Sequence, residues 1–459
     1  MASQQLAQTV SMSQAIAPQA FDYDLAIVGG GIIGLTLACA LKDSGLSILL
    51  IEAQAESVAV AKGRAYVISL LSGRIFAGIG VWDEILPQIS TFGKISLSDA
   101  DYDKVVYFEP QELGTNGLGY AAEHRVLLSA LQNQLKNSKN VTFLCPAEVI
   151  SADYQADGVE IELLLSAFGA GFTSNAQTLS DNVTKPAPVG VQGSNLESPP
   201  ITNDQLPITN YRIRTRLLVG ADGARSRIRQ AAGIQTKGWP YWQSCVVATI
   251  KPEKSHNNVA YERFWPSGPM GVLPLPGNRC QVVWTAPHAE AKALLELDEQ
   301  EFLEKLEYHT GGLLGKLELI GSRYLFPVKL MQSDRYAQHR LALIGDAAHC
   351  CHPVAGQGMN LGIRDAAALA QILTAAHQQG EDIGDIKVLK RYERWRKTEN
   401  LTILGMTDFL DRMFSNNWLP IVTIRRFGLW MLRHISPVKI YALQLMTGLR
   451  GRPPKLASD

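Results

Sequence analysis

Residues Tyr23–Gln54 read YDLAIVGGGIIGLTLACALKDSGLSILLIEAQ, and the order of elements in this stretch decides the fold. The apolar run Asp24–Val28 predicts a strand, the glycines a tight turn, Ile32–Lys42 a helix, and the run ending at Glu52 a second strand. Gly29, Gly31 and Gly34 fit the spacing GxGxxG, in which backbone can approach a pyrophosphate and a helix N-terminus meets its charge. Glu52 stands at the end of the second strand, where a carboxylate accepts hydrogen bonds from the ribose of an adenosine. Strand, turn, helix and terminal acid together predict a dinucleotide site, without separating FAD from NAD.

The rest of the chain limits what can surround that unit. At 459 residues and 46% hydrophobic it has enough apolar mass for two domains with full cores. Lys plus Arg and Asp plus Glu both total 43, so no global charge recruits nucleic acid or an acidic substrate. The six cysteines include no CxxC pair, which argues against a disulfide framework and fits a reducing, cytoplasmic compartment. Residues 1–21 have no basic start and no continuous apolar core, and read as a disordered polar tail rather than a signal peptide. No stretch approaches the roughly 20 apolar residues that span a bilayer, so membrane contact is expected to be peripheral.

Further along, VEIELLL and YRIRTRLLVGADGARSRIRQAAG read as strands flanking a Ser-, Thr-, Asn-, Gly- and Pro-rich insertion, 166–210. From Gln243 to Pro287 the pattern becomes β-rich and predicts a second sheet. Gly345–Ala370, GDAAHCCHPVAGQGMNLGIRDAAALA, reads as the end of a buried strand, a glycine-rich turn, and a helix from near Met359 to near Gly380. Its adjacent cysteines point in different directions and no second Cys/His cluster exists, so no metal site is expected. His349 is expected to fill hydrogen bonds behind the site; the alternative is that His349 or His352 acts as acid or base. Asp222 and Arg225 in GADGARSR read either as a cap before the SRIRQAA helix or as ligand contacts.

Four motifs in order, GGGIIG, GRAYVISL (63–70), GADGARSRIR (220–229) and GDAAHCCHPVAGQGMNLGIRD, resemble the FAD-dependent aromatic hydroxylases of the para-hydroxybenzoate hydroxylase fold. GYAAEHRVLLSAL (119–131) and ERFWPSGPMGVLPL (262–275) narrow the resemblance to the ubiquinone-biosynthesis hydroxylases that act on polyprenylated phenols. The resemblance implies an α/β fold: a discontinuous Rossmann-like FAD-binding domain (22–97, 119–235 and 330–400), a β-sheet substrate domain (98–118 and 236–329), and a C-terminal basic helical segment (401–459). It implies non-covalent FAD, with Arg64, Arg125, Val149, Asp222 and Asp346 in contact with the cofactor and Pro353 beside the reactive ring. Gly356, Gly358, Met359 and Asn360 lie where a helix N-terminus would stabilise the negative charge of reduced flavin.

With one dinucleotide fold visible, NAD(P)H is expected as a transient co-substrate, and O2 as the oxidant through a flavin C4a-hydroperoxide in an apolar pocket. The substrate expected is a prenylated phenol or quinone precursor of the ubiquinone or plastoquinone type. The alternative is a flavin-dependent reductase or dehydrogenase acting on an isoprenoid lipid without oxygen insertion. Arg412–Ser458 carries eight Lys or Arg and no Asp or Glu, and Arg425, Arg426, Arg433 and Lys439 predict a basic edge beside an apolar face. That edge suits the inner face of an anionic membrane; the alternative is packing on the flavin domain or a second subunit, in a homodimer or biosynthetic complex.

Overall fold

A computed structural model describes residues 20–54, 63–99, 104–165 and 209–458. Apart from their last residues, the expected tail 1–21 and insertion 166–210 lie outside this set.

The opening unit forms as its sequence dictates: strand Tyr23–Val28, helix Ile32–Leu41, strand Ile48–Ile51. Tyr23–Val28 runs parallel to Ile48–Ile51 on one side and to Thr209–Gly220 on the other. The glycine turn therefore leaves the carboxyl end of a strand where the strand order reverses, the place at which open parallel sheets bind ligands. Val141–Leu144 and Leu341–Leu343 continue the sheet outward in parallel, and all four residues of Ile48–Ile51 are buried. Such runs lie between covering layers on both faces. An antiparallel hairpin, Ala147–Tyr154 and Val159–Leu165, extends from the first half of Thr209–Gly220.

The second sheet has eight strands in the order His349–Cys350, Leu317–Ser333, Thr236–Pro252, Arg279–Pro287, Gly268–Leu275, Val259–Trp265, Lys94–Asp99 and Val106–Phe108. Lys94–Asp99 joins it parallel to Val259–Trp265, and a small three-stranded sheet of Ala65–Ile68, Gly119–Glu123 and Ser90–Phe92 lies between the two. His349 and Cys350 pair with Gln332 and Met331, so the HCCH segment stitches the large sheets together.

The strand over Leu341–Leu343 ends sooner than its sequence suggests, passing into a short 3-10 turn at Gly345–Ala347. The following helix covers Gln357–Gln378 and is succeeded by the long helix Ile386–Phe414. Two more helices, Leu419–His434 and Ser436–Thr447, close the chain. Here the expected basic edge is corrected. Arg425 is 3% exposed and its Nε lies 2.8 Å from the buried Asp99 carboxylate, while the Lys439 ammonium pairs with Glu112. A partner carboxylate on a distant strand offsets the cost of burying the guanidinium, which helical periodicity alone does not reveal. What the Leu419–His434 helix leaves exposed is mainly apolar: Leu419, Ile424, Phe427 and Trp430, with Trp418 just before it.

Candidate active site

Three glycine-bearing turns and one edge of the small sheet converge on a single cavity of about 500 Å³. The first turn supplies Gly31, Ile32 and Ile33. Gly34 does not reach the cavity but allows the turn to exist, since a Cβ there would sit 1.9 Å from the Gly29 carbonyl oxygen. Gly29 in turn abuts Ala221 of the second turn, so the two phosphate-facing segments are in contact. Around Gly31 nothing approaches within 4 Å of the Cβ position, leaving backbone open at the N-terminus of a buried helix. This is the cradle an anionic diphosphate requires. The Glu52 carboxylate accepts hydrogen bonds from the Gly30 N–H at 2.7 Å and the Gln54 N–H at 2.7 Å, which fixes it at the strand end with lone pairs to spare.

The second turn places Ala221 and Gly223 on the wall. Asp222 between them uses Oδ2 to accept the Ile228 N–H at 3.2 Å, adding to the cap that Ser226 supplies to the Arg227–Ala231 helix. Its Oδ1 is buried without a partner among the described residues, an acceptor left over for a donor from outside the chain. Arg225 is exposed.

Of the three turns, the third contributes most to the wall: Asp346, Cys350, Cys351, Pro353, Val354, Ala355, Gly356, Gly358 and Met359. Ala355 and Gly356 both have φ of 59°, and a Cβ on Gly356 would meet Val67 at 2.7 Å, so the chain doubles back tightly before the helix starts at Gln357. Asn360 is a brace: its Oδ1 accepts the Ser69 N–H, and its Nδ2 donates to the Val67 and Gly356 carbonyls at 2.9 and 2.8 Å. The side chain is fully buried and ties the turn to the Ala65–Ile68 strand, and Asn360 itself is not on the cavity wall. Asp346 opens onto the cavity. Desolvation by the surrounding protein raises its pKa, against the charges of His349, Lys329 and Arg64. The Arg64 guanidinium lies over the Phe326 ring, 3.5 Å from its centroid, and both line the cavity.

Arg125 and Val149 are not brought to this wall. Arg125 is held by Glu123 at 3.0 Å with its side chain largely in solvent, and His124 is the residue that lines the cavity from that turn. Val149 packs against the core beneath the first sheet.

The histidines are accounted for by the protein itself. His349 Nε2 is 2.6 Å from Asp365 Oδ2, and Arg396 Nε donates to the other oxygen at 2.8 Å. His349 and Arg396 hold the Asp365 carboxyl down at about 2 against the opposing effect of burial. His352 accepts the Val354 N–H and lies 3.2 Å from Gln243 Oε1; burial pushes its pKa down to about 4. Burial also pushes the Cys351 thiol up to about 12, so it is neutral and a poor nucleophile.

Asp365, Arg396 and Glu262 were not singled out from the sequence. For Asp365 no local signal exists, since its partners are 16 and 31 residues away. Glu262 had one: it falls between Ala260 and Phe264 on the apolar face of a strand, where an ionisable group is out of place.

The FAD-binding domain family matches residues 22–114 and 191–400. The chain is 50% identical to an uncharacterized Synechocystis protein, slr1300, over 95% of each chain. It is 35% identical to the ubiquinone hydroxylase UbiL of Rhodospirillum rubrum, covering 94% of this chain and 92% of that one. The mitochondrial ubiquinone biosynthesis monooxygenase COQ6 of Danio rerio is 32% identical, over 91% and 88%. Among solved structures, p-nitrophenol 4-monooxygenase PnpA from Pseudomonas putida superposes with a TM-score of 0.72 at 18% identity, covering 94% and 98%, a likeness of fold.

Proposed function

We propose, for a chain that belongs to the FAD-dependent monooxygenase family of the ubiquinone-biosynthesis hydroxylases, that it inserts one atom of O2 into the aromatic ring of a polyprenylated phenol or quinone precursor. NAD(P)H serves as a transient reductant. One observation carries the reading: beyond the third turn the cavity becomes an apolar compartment walled by Phe92, Leu97, Phe264, Leu273, Leu410 and Met446. It is lined for a ring with a hydrocarbon substituent.

Bound FAD supplies two-electron chemistry with NAD(P)H and O2, and the open backbone at Gly31 with the unpartnered Asp222 oxygen fits such a ligand. Gly31 and the helix behind it take the diphosphate, and Glu52 the ribose. Arg64 and Asp346 take further polar contacts. The Pro353–Met359 turn would lie against the ring system, where its N–H groups at a helix N-terminus would stabilise negative charge. Asn360 keeps that turn in register with the Ala65–Ile68 strand. The apolar walls exclude water and so keep reducing equivalents from being lost to peroxide.

Leu410, Met446 and Thr447 bring the C-terminal helices into the cavity wall. A polyprenyl tail leaving the compartment on that side meets the exposed apolar face of Leu419–His434, which lies on the membrane surface, at the cytoplasmic side. None of the described helices is long and apolar enough to cross a bilayer. The test is turnover of a geranyl-substituted phenol under isotopically heavy O2. One heavy oxygen atom in the product per NAD(P)H is expected; NAD(P)H consumption that yields a reduced lipid without heavy oxygen would replace this reading with a reductase.

A further inference from the structure

Apart from Asp346, Glu262 is the only carboxylate among the described residues lining the cavity, and it belongs to the apolar compartment rather than to the turns. It sits in the strand Val259–Trp265, opposite Gly271 of the neighbouring strand, whose missing side chain keeps space before it: a Cβ there would be 3.6 Å from Glu262 Oε2. The backbone N–H of Ala355, at the apex of the third turn, acts on the carboxylate in favour of its charged form. The group thus borders the segment that would lie against the flavin ring, and it lines the space given to the substrate.

We infer that the Glu262 carboxylate accepts the proton of the substrate's ring hydroxyl, making the phenolate that attacks the activated oxygen. The phenolic O–H bond breaks, its electron pair stays on oxygen and enriches the ring, and the proton resides on a Glu262 oxygen. The ring carbon then bonds to the outer oxygen of a peroxide-level oxidant, formed from O2 and the two electrons of NAD(P)H, as the O–O bond breaks and its electron pair leaves with the inner oxygen. That oxygen takes the displaced ring C–H proton as aromaticity returns, and Glu262 gives its proton back to the product phenolate. The inference rests on the hydroxylase reading.

The surroundings favour this role. Burial pushes the Glu262 pKa up to about 7, where a base of matched strength works near neutrality. No cation faces it from the adjoining strands, which offer Leu97 and Gly271. The other titratable groups lining the cavity are Arg64, Tyr66, His124, Tyr261, Asp346, Cys350 and Cys351; Cys245 lies behind, and Asp411 on the long helix is turned to Ser415 and His352.

The experiment uses the full-length holoenzyme with a geranyl-substituted phenol and its O-methyl ether. Wild-type kcat/KM for the phenol should rise with pH through about 7, as Glu262 loses its proton. E262Q, with FAD content unchanged, should lose that limb and about 10²- to 10⁴-fold in kcat/KM. The methyl ether, which has no proton to give, should show a flat profile and a similar loss in wild type, an arm that holds even if E262Q does not fold. E262Q hydroxylating the phenol like wild type, or ether and phenol turning over equally, overturns the assignment and leaves the hydroxylase intact. A wild type that hydroxylates no phenol overturns the reading beneath it.

Discussion

At the scale of single residues, the site is held from behind by a charge network. Asp365 is fully buried and receives hydrogen bonds from His349, Arg396, the Gly345 N–H and Asn400. Four donors on one carboxylate strongly favour its ionised form. Its pKa is about 2 in the fold against about 3.9 in an unfolded chain, so its contribution to stability is complete above pH 4 and is lost as pH falls through about 2. A shift of that size corresponds to about 2–3 kcal/mol. Asp365→Asn removes the charge and leaves the buried Arg396 with Glu399 as its remaining acid partner among the described residues, at a cost of about 3 kcal/mol, the lower end for breaking a buried pair. We expect this variant to unfold at markedly lower temperature near pH 7, and the gap from wild type to narrow in acid below pH 3. Equal melting of the two proteins at pH 7 would mean that Arg396 and His349 are satisfied without Asp365.

Elements show where reading a sequence succeeds. The Tyr23–Gln54 unit was legible because the interactions that define its shape are local: strand, turn and helix follow one another, and Gly34 meets Gly29 five residues away. The Gly345–Ala370 turn was legible for the same reason. What stayed hidden depends on long-range pairing. Nothing near Lys94–Asp99 announces a parallel partner at Val259–Trp265, and nothing near Arg425 announces Asp99, 326 residues distant. Helical spacing therefore placed Arg425 on a basic edge when it is a core residue. This changes how membrane binding should be tested. Arg425→Gln takes from the buried Asp99 the guanidinium that bonds both its oxygens, at a cost of about 3–5 kcal/mol, and would confuse lost binding with lost folding. The informative changes are Phe427→Ser and Trp430→Ser, both more than 45% exposed. Wild type should float with anionic liposomes, and the double variant should stay in solution with an unchanged melting temperature. Apolar burial of two aromatic side chains dominates here, so raising salt should release wild type only in part, through Arg426 and Arg433. Flotation of the double variant equal to wild type would assign this face to another role.

Across the whole molecule, the cavity is the joint between two sheets that otherwise touch through short segments. Its walls come from the first sheet's turns, the small sheet, the second sheet and the C-terminal helices together. A ligand filling it would contact every layer, and whatever binds only the folded state stabilises it in proportion to the logarithm of its excess. FAD at 100 times its dissociation constant should therefore add about 2.7 kcal/mol to stability. Melting of protein stripped of flavin should rise steadily with added FAD. Acid precipitation should release the colour, because no covalent link is expected. Gly34→Ala provides the internal control. Its methyl group, 1.9 Å from the Gly29 carbonyl oxygen, must push the Ile32–Leu41 helix off the first strand and open the diphosphate cradle. The variant should melt lower without flavin and respond weakly to it, because the group that couples the layers has lost its anchor. A melting temperature of the parent protein indifferent to FAD, or one raised by NAD alone, would mean that the three turns hold a different ligand and that the layers are joined by packing alone.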